Sequence, residues 1–370
     1  MENTCKELLN HCLTGRDWSP ALLDKALAID EGRAFLSIVV ERLGDLFEPE
    51  LCRVYDRLFR QVIEHITPDL SPRIRQPKQT APLPARARKV YVLSRITLGA
   101  DVAVTSVFLD AAKRLYPEAE VIFVGPRKNY ELFEADPRIG RLSAPYARSG
   151  SLQDRLQASA ALWLEDGIVL DPDSRLSQLG ILTICPEENY FFFESRSYGG
   201  SNLASLPDLA ARWTGIDARP YVAPLPSNQP KAEITVSLGI GDNENKRLGD
   251  SFERELLQLL DETGETILVD KGASESERRR VEAAITPRMQ THDGPFAPFA
   301  AAIAKSKLFV GYDSAAGHVA SACGIPLISI ASGFASERAA ARWRPNGTVL
   351  FAPQEKALAG VKQLLASLRP

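Results

Sequence analysis

Between residues 20 and 66 the stretch PALLDKALAIDEGRAFLSIVVERLGDLFEPELCRVYDRLFRQVIEHI sets apolar residues at three- and four-residue spacing with charges between them. That period gives each helix a single apolar face, so residues 1–66 are expected to form a helical N-terminal extension. From Thr67 to Lys89 the pattern dissolves into TPDLSPRIRQPKQTAPLPARARK. Repeated prolines cannot continue a helix and the basic residues have no apolar face to accompany them. Residues 67–88 therefore read as a solvated, semi-rigid linker, with attraction to an anionic membrane surface as the weaker alternative.

After the linker the pattern alternates. KVYVLS (89–94) is a buried-strand run, VAVTSVFLDAAKRLY (102–116) has helical spacing, and AEVIFVG (119–125) is a second strand, which makes a βαβ unit. GIVLDPDS suggests another strand ending in a polar loop, and YFFFES an aromatic one. The proline-rich break RPYVAPLPSNQPKAE (219–233) precedes a second series of strands (EITVSLG, TILVD, KLFVGY, PLISI) interleaved with helices. The expected class is α/β: two Rossmann-like doubly wound domains facing a cleft, residues 89–225 and 226–353, with ligands at the carboxyl ends of the strands. The last segment, 354–370, is an amphipathic helix expected at the domain junction.

A chain of 370 residues exceeds what one core usually organises, which agrees with two domains. A formal net charge of -3 excludes a nucleic-acid binder that relies on a basic surface. Five scattered cysteines without ligand spacing read as reduced thiols. The first residues, MENTCKELLN, lack the layout of a signal peptide, and no stretch reaches the ~20 apolar residues that span a bilayer. The expected location is cytoplasmic, with peripheral placement at an inner membrane left open.

Candidate chemistry concentrates in a few loops. In VGYDSAAGHVASACGIPLISI (310–330) a strand gives way to a helix at Asp313 and Ser314, both good N-caps. Capping does not account for Ala315, Ala316 and Gly317, which strip bulk from the helix start, nor for His318 after them. A bare helix N-terminus carries exposed amides and partial positive charge, so the patch suits a phosphorylated ligand. In SLGIGDNENKRLGDS (237–251), Gly239 and Gly241 end a strand and Lys246 follows in a polar loop; an exposed lysine is the plainer reading of it. LDPDSRLSQLGIL (170–182) crowds Asp171, Asp173, Arg175 and Gln178 into one loop, suited to a sugar or an anionic headgroup, and FFFESRSYGG adds Glu194 and Arg196 beside aromatics. Asp171 and Asp173 alone hold a divalent ion poorly, so no metal is expected. Arg338, Arg342 and Trp343 either flank a bound base or cap their domain, the second reading being preferred.

The stretch 310–330 resembles the signature of glycosyltransferase family 9, the ADP-heptose:lipopolysaccharide heptosyltransferase-like proteins, with Asp313, Ser314, His318, Gly324 and Pro326 in register and Ala315 where the family has glycine. SRITLGADVAVTSVFLDAAKRLYPEAEVIFVG (94–125) resembles the family's N-terminal segment, in which a strand ends in Leu-Gly-Asp; here Ala100 stands between Gly99 and Asp101. The resemblance implies a GT-B fold and an inverting, metal-independent transfer of heptose or a similar sugar from a nucleotide-diphosphate donor, ADP-heptose being one candidate, without a cofactor. It implies Asp101 as base, where the residues alone suggest an N-cap. It also implies a donor site of Gly241, Lys246, Asp313, Ser314, Ala315, Ala316, Gly317 and His318. The acceptor would be a glycan, lipid-linked or protein hydroxyl, as in lipopolysaccharide or glycoprotein synthesis, met by Gly99, Asp171, Asp173, Arg175, Gln178, Glu194 and Arg196. Residues 1–66 are left as a surface for a protein partner, for self-association, or as a buttress. Two alternatives stand beside this: a nucleotide-sugar 2-epimerase, and a non-catalytic relative that binds a nucleotide or scaffolds a partner.

Overall fold

The computed structural model describes residues 2–75, 82–241 and 243–368; Asp242, residues 76–81 of the expected linker and the last two residues of the expected C-terminal helix lie outside the described residues. Strands β1 (Lys89–Leu93), β2 (Glu120–Gly125), β3 (Ile139–Ser143), β4 (Ile168–Asp171) and β5 (Tyr190–Phe192) form one parallel sheet in the order β3-β2-β1-β4-β5. A second parallel sheet takes β6 (Ile234–Ser237), β7 (Ile267–Asp270), β8 (Gln290–His292), β9 (Leu308–Tyr312), β10 (Leu327–Ala331) and β11 (Thr348–Phe351) in the order β11-β10-β9-β6-β7-β8. The central strands are buried on both faces, which is why they read as continuous apolar runs. Two doubly wound α/β domains result, as the sequence suggests.

Both orders reverse direction once. In the first sheet the chain switches sides between β1 and β4, and in the second between β6 and β9. Loops leaving neighbouring strands part at such a point and open a crevice beyond the strand carboxyl ends. The loops after β1 and β4 carry Arg95, Asp173 and Arg175, and those after β6 and β9 carry Lys246 and Asp313.

The N-terminal extension is helical: Glu2–Leu13, Pro20–Ala28, a run from Arg33 to Asp45 and Pro49–Ile66. The middle run contains a π-helical turn, Leu36–Val40, a feature frequent near functional sites. Apolar faces of these helices converge on Leu152, Leu156, Leu179, Ile181 and Leu182 of the first α/β domain. They are thus consumed inside the chain. The linker reading of 67–88 needs correction for its first part. Pro68–Arg73 is a 3-10 helix, Ile74 makes an antiparallel bridge to Leu182, and the Arg73 guanidinium donates to the carbonyls of Ser159, Ala160, Leu162 and Thr183. The prolines end the preceding helix as anticipated, but Arg73 caps the C-terminal end of the helix Leu152–Ala160 instead of facing solvent.

The C-terminal helix, Gln354–Leu368, is not at the domain junction either. Ala357, Val361 and Leu365 complete the core of the second domain beside Leu256, Val310 and Ile328. The domains meet elsewhere. Ala316, Val319 and Ala320 share one apolar cluster with Val102, Ala103 and Phe108, and a Cβ at Gly99 would stand 3.3 Å from the Ala315 Cα, so the helix starts abut closely enough that a side chain there would crowd the contact. Arg342, wholly buried, donates from the second domain to the carbonyls of Tyr198, Gly200 and Ala204 in the first. Arg338 donates to the Phe47 carbonyl and pairs with Glu48 at 3.2 Å, tying the extension to the second domain. No helix among the described residues is long and apolar enough to cross a membrane.

Candidate active site between the two switch points

On the second domain, Gly241 takes φ +61° to start a turn that a side chain would strain, and the 3-10 turn Glu244–Lys246 follows. The loop is clamped: Ser332 Oγ donates to the Lys246 carbonyl, and Arg247 reaches Glu253 through two bonds of 2.8 and 3.0 Å. Lys246 is thereby aimed across the switch point, its Nζ 2.6 Å from Asp313 Oδ2 and 3.1 Å from the Asp313 carbonyl. Next to that pair begins the helix Ala315–Ala322, whose N-cap Ser314 makes no capping bond and whose Oγ is buried without a hydrogen-bond partner among the described residues. The amides of Ala315, Ala316 and Gly317 open the helix with no side-chain cap. His318 is buried; burial and nearby Lys246 pull its pKa below the ordinary histidine value against the opposing pull of Asp313, leaving a neutral ring. That ring meets Trp343 edge to face at 5.9 Å. Lys246, Asp313, Ser314 and His318 thus lie together, beside the three amides.

Across the cleft, at the first domain's switch point, lies a cavity of about 170 Å³. This is below the roughly 300–1,000 Å³ of pockets that enclose a drug-sized ligand, so it accommodates one moiety of a substrate. Its wall carries five arginines, Arg95, Arg148, Arg155, Arg175 and Arg196, against three carboxylates, Glu41, Asp45 and Asp173. Asp173 is already neutralised: Arg196 Nε lies 3.0 Å away and Ser195 Oγ donates at 2.8 Å. Burial disfavours its charge, but Arg196 and Arg95 outweigh burial and hold its pKa below the usual carboxylate range. Arg95 donates to the Pro172 carbonyl and to Ser195 Oγ, and its guanidinium lies 5.9 Å from the Trp343 ring. The Arg175 guanidinium makes no hydrogen bond or ion pair among the described residues, its carbonyl alone accepting, from Gln178 N. Four residues on this wall, Phe47, Ile96, Asp173 and Leu179, hold positive φ without being glycine. For a β-branched residue such as Ile96 that conformation is an outlier, and strain of this kind gathers at ligand sites.

Of the residues expected to meet an acceptor, the cavity takes Asp173, Arg175 and Arg196. The others stand elsewhere. Asp171 is buried and accepts from Ser174 N, Ser177 Oγ and Tyr190 Oη; burial pushes its pKa up to about 6. Gln178 donates to the Arg155 carbonyl and to Ser159 Oγ, holding the helix Leu152–Ala160. Glu194 accepts from Ser197 in a local turn. Gly99 serves the domain contact described above.

Asp101 also departs from expectation. It is wholly buried, in a π-helical turn Asp101–Thr105, and its two oxygens accept from Ser94 Oγ (2.7 Å), Arg95 N, Thr105 Oγ1 and Asn129 Nδ2 (each 2.6 Å). It is not an N-cap, and a base must reach the proton it removes. With Ala100 added after Gly99, the residue that lines the cavity is Ala100 and the carboxylate turns inward. What Asp101 does is pin the loop 94–97. Glu41, Asp45, Phe47 and Arg95 line the cavity although no motif in the sequence marks them as site residues, and Trp343, for which capping its domain is the preferred reading, lines it too. The signal available for two of them was Glu41 and Asp45, like charges four residues apart on one helix face, an arrangement that weakens a helix by a few tenths of a kcal/mol.

Residues 241–364 match the family model of glycosyltransferase family 9 (heptosyltransferase). No curated protein matches the chain. Among solved structures, Escherichia coli heptosyltransferase WaaC with ADP-2-deoxy-2-fluoro heptose aligns with a TM-score of 0.54 at 16% identity, over 76% of this chain and 100% of that one. The E. coli ADP-heptose lps heptosyltransferase II aligns at 0.53 and 17% identity, over 76% and 98%. A family 9 glycosyl transferase from Veillonella parvula aligns at 0.54 and 15% identity, over 78% and 99%. At these identities the likeness establishes the fold: two Rossmann-like domains in the GT-B arrangement.

Proposed function

We propose that this chain, which carries a glycosyltransferase family 9 domain over residues 241–364 and the heptosyltransferase fold, moves a sugar from a nucleotide-diphosphate donor to an acceptor hydroxyl with inversion. The observation that carries the reading is Lys246 held on Asp313 at the second domain's switch point, beside a helix N-terminus opened by Ala315, Ala316 and Gly317. A diphosphate placed there receives the ammonium, the Ser314 hydroxyl and the first-turn amides, the groups that stabilise the negative charge gained as the sugar departs. A neutral His318 adds a hydrogen bond without competing for the ammonium's charge. Heptose and ADP are the first candidates, because the similar structures hold ADP-linked heptose or act on it. The arginine-rich cavity wall opposite favours an acceptor that carries anionic groups.

The test is a calorimetric titration of nucleoside diphosphates and their sugars, run without added metal. One nucleotide is expected to bind in the micromolar range. Lys246→Ala is expected to weaken it about tenfold or more, the worth of a charge-assisted hydrogen bond. Asp313→Ala leaves the ammonium present but unheld, so its loss should be smaller. Wild-type affinity in the Lys246 variant would overturn the donor site. The sequestration of Asp101 favours a second reading, a nucleotide-binding relative that transfers nothing. Donor binding without any donor consumption would select it.

A further inference from the structure

The cavity wall is built by three parts of the chain, and the part outside the α/β domains supplies two of its three carboxylates. Glu41 and Asp45 project from the last helical turn of the run that begins at Arg33. Behind them Gly44 is buried against the Arg196 side chain, and Phe47 follows with its ring 6.1 Å from Trp343 and its carbonyl held by Arg338. The turn is thus pinned from both domains. Asp173 is paired and Asp101 is enclosed, whereas no hydrogen bond or ion pair among the described residues ties the Asp45 carboxylate, which is open to the cavity.

Taking the sugar-transfer reading above as its premise, we infer that Asp45 is the general base, and that the N-terminal extension therefore completes the active site. Lys246, which would hold the diphosphate, is near enough to act on the charge of Asp45, and Trp343 of the cavity wall meets His318 of the opposite site; an acceptor oxygen seated in the cavity would then stand between Asp45 and the anomeric carbon. The oxygen bonds to that carbon, the carbon–oxygen bond to the diphosphate breaks with its electron pair leaving on the nucleotide, and the hydroxyl proton passes to the Asp45 carboxylate. The charged groups facing Asp45 are Arg175, Glu41, Lys246 and Arg42. Although Asp45 stays exposed on the cavity side, the protein packed around it raises its pKa above the ordinary aspartate value, Glu41 raises it further, and Arg175, Lys246 and Arg42 lower it. A raised pKa makes a better proton acceptor at neutral pH. The base works only when ionised, so the rate falls as pH drops through this raised value.

The experiment uses the full chain with ADP-heptose and water as the acceptor, following ADP release, alongside calorimetry of the same donor. Asp45→Asn is expected to keep donor affinity within about twofold and wild-type thermal stability while ADP release falls about 100-fold or more, the usual worth of a general base. Asp45→Glu should recover part of the rate. Glu41→Gln should shift the acid limb of the rate profile to lower pH, which a purely structural role would not do. ADP release by Asp45→Asn at the wild-type rate would overturn the assignment, as would a wild-type chain that binds ADP-heptose and releases no ADP. Failure of the wild-type chain to bind any nucleotide is read by calorimetry alone, and would remove the sugar-transfer reading itself.

Discussion

Asp101→Ala is expected to melt about 6–16 °C below the wild-type protein, a loss of about 3–4 kcal/mol in unfolding free energy. The carboxylate satisfies one backbone amide and three side-chain donors at once, in a place with no solvent to replace it. Ser94 Oγ in turn accepts from Ile96 N at 2.9 Å, and Asn129 Nδ2 also donates to the Ile96 carbonyl at 3.1 Å. The network therefore holds Ile96 at φ 75°, and with it the loop that presents Arg95 to the cavity. Alanine leaves buried donors unpaired and releases that strain. Asparagine is expected to be nearly as damaging, since its amide nitrogen would face donors where an oxygen now accepts. Differential scanning calorimetry reads the effect. A wild-type melting temperature in Asp101→Asn, combined with loss of ADP release, would return Asp101 to the role of base. The contrast with Asp45→Asn is diagnostic: one substitution should change stability first, the other rate alone.

The sequence exposed the architecture wherever burial writes a pattern. Central strands such as β1 and β9 are buried along their length and so appear as apolar runs. Three strands escaped notice, β3, β8 and β11, and each is the outer strand of its sheet. β3 is exposed at four of its five positions and β8 is only three residues long, so neither alternation nor a continuous run marks them. The loop proposed to hold the donor was legible because its chemistry is local: Asp313 to His318 are consecutive in sequence and in space. The opposite wall was not, because Asp45, Arg95, Asp173 and Trp343 meet only after the extension and both domains have packed together. Density of polar residues misled for the same reason. Asp171 and Gln178 sit two or three residues from Asp173 and Arg175, yet they turn into the protein to hold neighbouring segments. The one-residue shift from Ala100 to Asp101 reverses which side chain meets the cavity, since adjacent residues on a helix point about 100° apart.

Removal of residues 2–75 is expected to leave the first α/β domain unfolded and the second intact. Leu152, Leu156, Leu179, Ile181 and Leu182 are almost fully buried, and their cover comes from Phe35, Val39, Tyr55, Phe59 and Val62 of the extension. Uncovering five such side chains forfeits about 8–15 kcal/mol of apolar burial at ~1.5–3 kcal/mol each, comparable with the entire stability of an ordinary domain. Arg73 and the bridge from Ile74 to Leu182 go with it, and Arg196 loses the Tyr55 ring that lies 4.9 Å from its guanidinium. The second domain has a core of its own around Val236, Leu256, Val310 and Ile328, which gives it independent means of staying folded. Limited proteolysis of the shortened chain should therefore leave a resistant fragment that begins near Ile234, while a dye for exposed apolar surface should brighten strongly. Phe59→Ala in the full chain tests the same dependence more gently: a buried ring removed from this cluster costs about 3–5 kcal/mol, and donor affinity should survive at temperatures below the lowered transition. A soluble, shortened chain with the wild-type melting profile would mean the extension is an appendage, and a carboxylate on it would then have no secure place in the active site. If stability and ADP release fall together, the extension is as much a wall of the catalytic cavity as either Rossmann-like domain.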